Sequence, residues 1–167
     1  VIDNFSTGSR EILADIEKDI TLVEGDILDA VALKQAMAGT DLAFHLAAIT
    51  SVPYSMEHPE ETREVNVGGT KAVLDAAVAA GAKRMVFAGS AAEYGDSSKP
   101  RQHEDDDLNP LSPYAEQKIE SGRMCRRYAG DGKIEAVVLR FFNIFGPRQD
   151  ANSPYSGVIT KFIVAML

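Results

Sequence analysis

Apolar positions along the chain come in two alternating rhythms. Short, nearly unbroken apolar runs occur at 1–3 ("VID"), 20–26 ("ITLVEGD"), 41–48 ("DLAFHLAA"), 82–90 ("AKRMVFAGS") and 134–142 ("IEAVVLRFF"). Their length and their share of Val, Ile and Phe predict strands. Stretches with helical spacing lie between them. Residues 9–17 form a weak helix, and 29–39 a stronger one, with Asp29 as N-cap and Gly39 as its stop. A long helix is expected from about Glu57 to Ala80, with Val73, Leu74, Ala77 and Val78 on one stripe and Gly81 ending it. Pro113 fits the first turn of another helix reaching about Ala129, with Ser112 as its cap. A final helix is expected from about Tyr155. Residues 95–112 are polar and broken by proline, and their acid run Glu104–Asp107 reads as a solvated loop.

Strands that alternate with helices and are apolar throughout predict an α/β fold. Its sheet should be parallel and doubly wound, with both faces covered. Ligands of such sheets gather at the carboxyl ends of the strands. Asp3, ending the first run, either accepts the hydroxyls of an adenosine ribose or simply starts a turn. An acid there also repels a 2′-phosphate, which favours NAD over NADP. Asp26, after the second run, could meet an adenine or serve ordinary turn chemistry. The third run ends in Ala47 and Ala48, which let backbone approach a dinucleotide closely. His45, inside that run, is better read as a hydrogen-bonded structural residue than as a catalytic one. The fourth run ends in Ser90 and the fifth in Phe142-Asn143.

Tyr114 and Lys118 stand four residues apart at the start of a helix, so they share a face. A cation beside a phenol favours the phenolate. With a serine hydroxyl to hold the substrate oxygen, such a pair can take a proton from an alcohol whose carbon loses hydride. A Tyr-x-x-x-Lys spacing is common by chance. Its weight comes from Asp3, the Ala pair and Ser90 arriving at successive strand ends.

Composition narrows the alternatives. With 45% hydrophobic and 25% charged residues the chain is globular. A formal net charge of −8 disfavours nucleic acid as a partner. The single cysteine, Cys125, excludes an internal disulfide framework. No apolar run approaches the roughly 18 residues of a membrane span, and no signal peptide is visible, so a cytoplasmic protein without membrane contact is expected. No metal site is expected either. The chain begins inside a strand and ends inside a helix, the pattern of a segment from a longer protein.

The stretches "VIDNFSTG", "GDILD", "HLAAITSVPYSMEHP", "NVGGT", "SAAEYGD", "PLSPYAEQK" and "LRFFNIFGPRQDANSPYSGVI" resemble the extended short-chain dehydrogenase/reductase family, in particular its NAD-dependent sugar-nucleotide epimerases. The resemblance covers essentially the whole chain, and its last stretch is most similar to UDP-N-acetylglucosamine 4-epimerases. It implies a Rossmann-like sheet lacking its first strand and the glycine-rich turn that follows it. Residues 1–167 would then be a partial NAD-binding domain, with the substrate-binding region starting at about 143–167. An empty slot is expected between the strands ending at Asp3 and Ala48, and the isolated chain should bind NAD poorly.

The same resemblance implies roles. Tyr114 would be the base, Lys118 would bind the nicotinamide ribose and tune Tyr114, and Ser90 would bridge to the sugar. Asp3, Asn4, Phe5, Ser6, Thr7 and Gly8 would hold the adenosine side, with Asp26 and Ile27 edging the adenine. Leu46, Ala47, Ala48 and Thr50 would line the pyrophosphate and nicotinamide ribose, with Asn66 behind them, and Phe142 would flank the nicotinamide. Ser51, Asn143, Gln149, Gly157 and Val158 would lie on the sugar-nucleotide side. Helices 57–80 and 113–129 would form a homodimer.

The implied reaction is 4-epimerisation of a nucleotide sugar, a UDP-hexose or UDP-N-acetylhexosamine, through a transient 4-keto sugar and tightly bound NAD. Similar dehydratases place an Asp-Glu pair just after the position of Ser90, and similar decarboxylases a glutamate two residues before the tyrosine matching Tyr94. Ala91 and Ala92 stand there. Glu93 is one residue off, and on a strand-like path it would point the other way. The rival readings are a decarboxylase, dehydratase or reductase on a nucleotide sugar, an NAD-sensing module, or an inactive fragment.

Overall fold

The computed structural model describes residues 1–149 and 157–167. Five parallel strands alternate with helices. They are β1 (Ile2–Asp3), β2 (Val23–Glu24), β3 (Leu42–His45), β4 (Arg84–Ser90) and β5 (Glu135–Phe141). Hydrogen bonding divides them into two groups. β1 pairs with β2, and β3, β4 and β5 pair in that order. Among the described residues no strand ladder joins β1 to β3, which is where the empty slot is expected.

Local chemistry accounts for most helix ends. α1 (Ala30–Met37) starts where the Asp29 carboxylate accepts from the Val31 and Ala32 amides. Gly39 and Gly81, at φ 71° and 76°, follow the ends of α1 and α4 (Gly69–Ala79). α5 (Pro113–Gly130) opens with Ser112 Oγ accepting from the Ala115 amide and Pro113 in its first turn. α2 (Val52–Glu57) is capped in the same way by Ser51.

Several expected elements differ. Residues 10–19 form a 3-10 helix with no buried residue, so nothing fixes it to the core. The strand expected over 20–26 shrinks to the two residues that pair with β1. The long helix expected from about Glu57 to Ala80 runs unbroken over 59–79, as α3 (Pro59–Arg63), a π-turn over Glu64–Gly68, and α4. Pro59 separates α3 from α2, because its ring cannot continue a preceding helix. The last helix, α6, spans Val158–Met166; Tyr155, its expected start, lies outside the described residues.

The core lies on one side of the larger sheet. Ala43, Met85, Phe87 and Val138 of the strands meet Val73, Leu74 and Ala77 of α4 and Cys125 and Tyr128 of α5. The same strands were expected to be covered on both faces. Here the second face carries exposed apolar groups, with Phe44 65% exposed and Val137, Leu139 and Phe141 also open. Alternation therefore survives inside an unbroken apolar run: one set of side chains is packed in the core, and the other is open at Phe44, Val137, Leu139 and Phe141 though covered at Ala88.

His45 belongs to the packed set. Its Nε2 lies 2.9 Å from Thr70 Oγ1, whose hydroxyl hydrogen is already committed to the Asn66 carbonyl at 2.6 Å. Nε2 must therefore carry the hydrogen and donate it. Burial, aided by the Lys118 charge, holds this imidazole down at about 3. The unfolded chain binds a proton near pH 6.5 that the folded chain refuses. The resulting stability is complete above pH 6.5 and is lost as pH falls toward 3, by about 1.4 kcal/mol per unit inside that window. Urea denaturation at pH 7 and pH 4.5 should thus show a loss of roughly 2–3 kcal/mol from this group. His45→Gln, which keeps a donor for Thr70, should remove that loss. An unchanged pH slope in the variant would assign the acid sensitivity elsewhere.

Candidate active site

The carboxyl end of β4 and the start of α5 meet. β4 delivers Ser90, and α5 opens with Tyr114 and carries Lys118 one turn later. Three contacts fix this corner. The Tyr114 amide donates to Ser55 Oγ of α2 at 3.2 Å. Lys118, 3% exposed, donates from Nζ to the Ala88 carbonyl of β4 at 2.9 Å. Its ammonium also lies 4.9 Å from the Phe87 ring centroid and 5.8 Å from that of Tyr114. A lysine amine is thereby held inside the protein between a strand carbonyl and two aromatic faces.

Burial pulls Lys118 down to about 8, against the raising influence of Glu93. Tyr114 moves the other way. Burial pushes its phenol up, the nearby Ser90 hydroxyl opposes this, and Glu93 adds to the rise. The lowering expected from Lys118 alone is thus reversed in the protein by itself. The ammonium is more than 5 Å from the ring, and desolvation outweighs it.

A second part of the site is formed by strand ends. Asp3 Oδ1 accepts from the Phe5 amide at 2.7 Å, turning the chain at Phe5, whose φ is 53°. Asn4 Nδ2 donates to Asp26 Oδ2 at 2.8 Å, tying the ends of β1 and β2 together, while Asp26 Oδ1 accepts from the Leu28 amide. Ser6, Thr7 and Gly8 are exposed in the following loop. Ile27 differs from its neighbours: its side chain belongs to the core, so only its backbone can meet a ligand. After β3, Leu46, Ala47 and Thr50 are exposed and Ala48 is half-buried.

Asn66 sits behind that segment and uses its whole amide to hold it. Oδ1 accepts from the Ile49 amide at 2.8 Å, and Nδ2 donates to the Ile49 carbonyl at 3.0 Å and to Gln117 Oε1 at 2.8 Å. Gln117 passes the connection on, donating to the Pro59 carbonyl and to Thr62 Oγ1. The Asn66 carbonyl, inside the π-turn, accepts from the hydroxyls of both Thr70 and Ser121. The π-turn thus turns one peptide oxygen toward α4 and α5 together.

The sugar-side candidates are more scattered. Ser51 is buried and spends its hydroxyl on capping α2. Phe142 is exposed and stacks on Tyr94 with centroids 6.3 Å apart. Asn143 is exposed, Gln149 accepts from Thr160 Oγ1 at 2.7 Å, Gly157 caps α6, and Val158 is exposed at its start.

Arg140 escaped the sequence reading, and Glu93 was expected to point away. The path after Ser90 is a 3-10 turn over Ala91–Tyr94, not a strand, so the expected reversal of Glu93 does not occur. The Glu93 side chain folds back and accepts from the Ser90 amide, completing a capping box. Ser90-x-x-Glu93 is the usual signature of that motif, and an arginine inside the apolar run "VVLRFF" was a second signal. Among the described residues no group of three or more His, Cys, Asp or Glu is arranged to hold a metal, and no helix is long and apolar enough to cross a membrane.

The likenesses of this chain to known proteins cover its full extent. A family model described as the NAD dependent epimerase/dehydratase family matches residues 1–167. A UDP-N-acetyl-alpha-D-glucosaminuronate decarboxylase of Bacillus cytotoxicus is 34% identical over 172 residues, covering 100% of this chain and 53% of that protein. Among solved structures, a UDP-N-acetylglucosamine 4-epimerase from Methanobrevibacter ruminantium, in complex with UDP-N-acetylmuramic acid, superposes with a TM-score of 0.91 at 36% identity. That match covers 99% of this chain and 53% of the other. The Thermus thermophilus UDP-glucose 4-epimerase, in complex with NAD, gives a TM-score of 0.85 at 31% identity over 93% of this chain and 50% of the other. The chain spans about half the length of each of these proteins. With a parallel α/β fold that matches theirs and a family model aligned from its first residue to its last, the chain belongs to the NAD-dependent epimerase/dehydratase family.

Proposed function

We propose that the protein carrying this chain is a nucleotide-sugar 4-epimerase that works with NAD on a UDP-hexose or UDP-N-acetylhexosamine. The observation that carries the reading is the corner formed by Ser90, Tyr114 and Lys118, with Ala91 and Ala92 beside it. Epimerisation asks the protein for one group that takes and returns a proton. It needs no second acid for elimination.

The residues present suit a dinucleotide. The carboxylates of Asp3 and Asp26 stand at adjacent strand ends. The segment after β3 is exposed and poor in bulk at Ala47. Bound NAD supplies the acceptor and donor of hydride for C4. Tyr114 Oη removes the proton of the 4-hydroxyl and later gives it back. Ser90 Oγ holds the same sugar oxygen, and its hydroxyl opposes the rise that burial imposes on the phenol. Lys118 keeps a cation at the ring, and its pull down to about 8 leaves the amine able to exchange its proton near neutral pH. Asn66 holds the Ile49–Thr50 backbone in place from behind. The outer faces of α3, α4 and α5, with α3 tied to α5 by the Arg63–Glu120 fork, are the surface proposed for pairing with a second copy.

A decarboxylase is the second reading, favoured by the match to the Bacillus cytotoxicus protein, which covers the whole of this chain. The two differ in products. Proton NMR of the longest reading frame containing this chain, given UDP-glucose, UDP-N-acetylglucosamine or the corresponding uronates with NAD, should show the 4-epimer accumulating to equilibrium. It should show no net consumption of cofactor. Release of CO2 from a uronate without a 4-epimer would replace this reading by the second.

A further inference from the structure

The turn that follows Ser90 is held by an ion pair that the reaction described above does not use. Glu93 is 3% exposed at its side chain and Arg140 13%. Arg140 Nε donates to Glu93 Oε2 at 2.8 Å, while Glu93 Oε1 accepts from the Ser90 amide at 2.9 Å. The guanidinium has further partners. One terminal nitrogen donates to Tyr94 Oη and to the Glu104 carbonyl, both at 2.9 Å, and the group lies 5.0 Å from the Tyr94 ring centroid. One arginine thus joins β5, the turn after β4, and the acidic loop. Gly89 makes room for this: a Cβ there would lie 2.8 Å from Glu93 Oε1.

The structure assigns Glu93 and Arg140 as a positioning pair for the reaction proposed above, setting the direction of Ser90 and the charge felt at Tyr114. A buried pair is a costly way to stabilise a turn, since both ions lose water. Ser90 could cap the turn alone, through its bond to the Ala92 amide. What the pair adds is a buried negative charge, bonded to the Ser90 amide and felt at the phenol, with a positive charge behind it. The groups acting on Tyr114 are Ser90 from β4, Glu93 from the turn with Arg140 of β5 behind it, and Lys118 from its own helix.

The inference rests on the proposed reaction for its meaning, but its test does not. The protein is labelled with 13Cζ-tyrosine, and the Tyr114 signal, one of five tyrosines, is assigned with Tyr114→Phe. Glu93→Gln keeps an acceptor for the Ser90 amide but leaves Arg140 unbalanced, so the Tyr114 titration should move to lower pH. Arg140→Gln leaves Glu93 unbalanced, so it should move to higher pH. In active protein, Glu93→Gln should also lower kcat by about ten- to a hundredfold with KM within about twofold, the pattern of misplaced catalytic groups. Titrations that stay put, or that move the same way in both variants, overturn the assignment, as does a kcat within twofold of the unsubstituted protein. If Arg140→Gln does not fold, the near-isosteric Glu93→Gln decides alone. Absence of epimerase activity in unsubstituted protein would overturn the proposed reaction, and the two titrations would still decide the pair.

Discussion

Tyr114→Phe should abolish turnover while leaving binding in place. The substitution removes one oxygen and keeps the ring that faces the Lys118 ammonium. Loss of a positioned proton acceptor lowers kcat by about 10²–10⁴-fold. The upper part of that range is expected here, because the substitution leaves no other proton acceptor on the sugar oxygen. KM for the nucleotide sugar and affinity for NAD should change by no more than a few-fold, since binding draws on many other groups. Single-turnover measurements with UDP-glucose and with UDP-N-acetylglucosamine would check both halves. A variant that keeps a tenth or more of the original kcat would remove Tyr114 from the chemistry. A variant that loses NAD binding along with kcat would make the tyrosine a binding residue.

Asn66→Leu should be the most damaging single change away from the chemistry. The two side chains have similar size, so the loss is one of hydrogen bonds rather than volume. Leucine abandons the Ile49 amide and carbonyl and the Gln117 oxygen in a buried setting. Each such group costs about 1–3 kcal/mol when left without a partner. Some relaxation toward water at Ile49, which is only half-buried, brings the expected total to about 3–5 kcal/mol. Thermal unfolding should show a fall in midpoint of roughly 10 °C. Tyr54→Phe is the useful contrast, because its hydroxyl donates to the exposed Glu61 carboxylate, and its loss should leave the unfolding midpoint almost unchanged. Equal effects in the two variants would show that the amide clamp contributes no more than an ordinary surface contact.

The elements legible in the chain were those controlled by near neighbours. Asp29, Ser112 and Pro113 mark helix starts through contacts made within three residues, and Gly39 and Gly81 mark ends through their own backbone angles. β4 and β5 were legible because they are long and apolar. Tyr114 and Lys118 were legible as a pair because helical spacing alone puts them on one face. The π-turn was not, since its stabilising partners Thr70 and Ser121 come from two different helices. Lys118 illustrates the same limit in electrostatic form. Its proximity to Tyr114 follows from spacing, but its burial against Ala88 and Phe87 is a tertiary fact, and burial decides the direction of both shifts. Glu93 was misread for a more local reason. A strand-like path was extended past Ser90 although a capping signature was present.

The division of the strands into two hydrogen-bonded groups has a consequence for how the molecule breathes. β1 and β2 share a ladder of two residues each, and the 3-10 helix between them buries nothing. β4 and β5 share seven residue pairs and lie over the helical core. Opening the first group exposes little apolar surface, while opening the second exposes most of it. The backbone amides of Val23 and Gly25, bonded to Val1 and Asp3, should therefore exchange with solvent through small local fluctuations. Those of β4 should exchange only when the whole domain unfolds. The residues proposed for the adenosine side thus stand on the soft part of the scaffold, and those proposed to handle the proton on the rigid part.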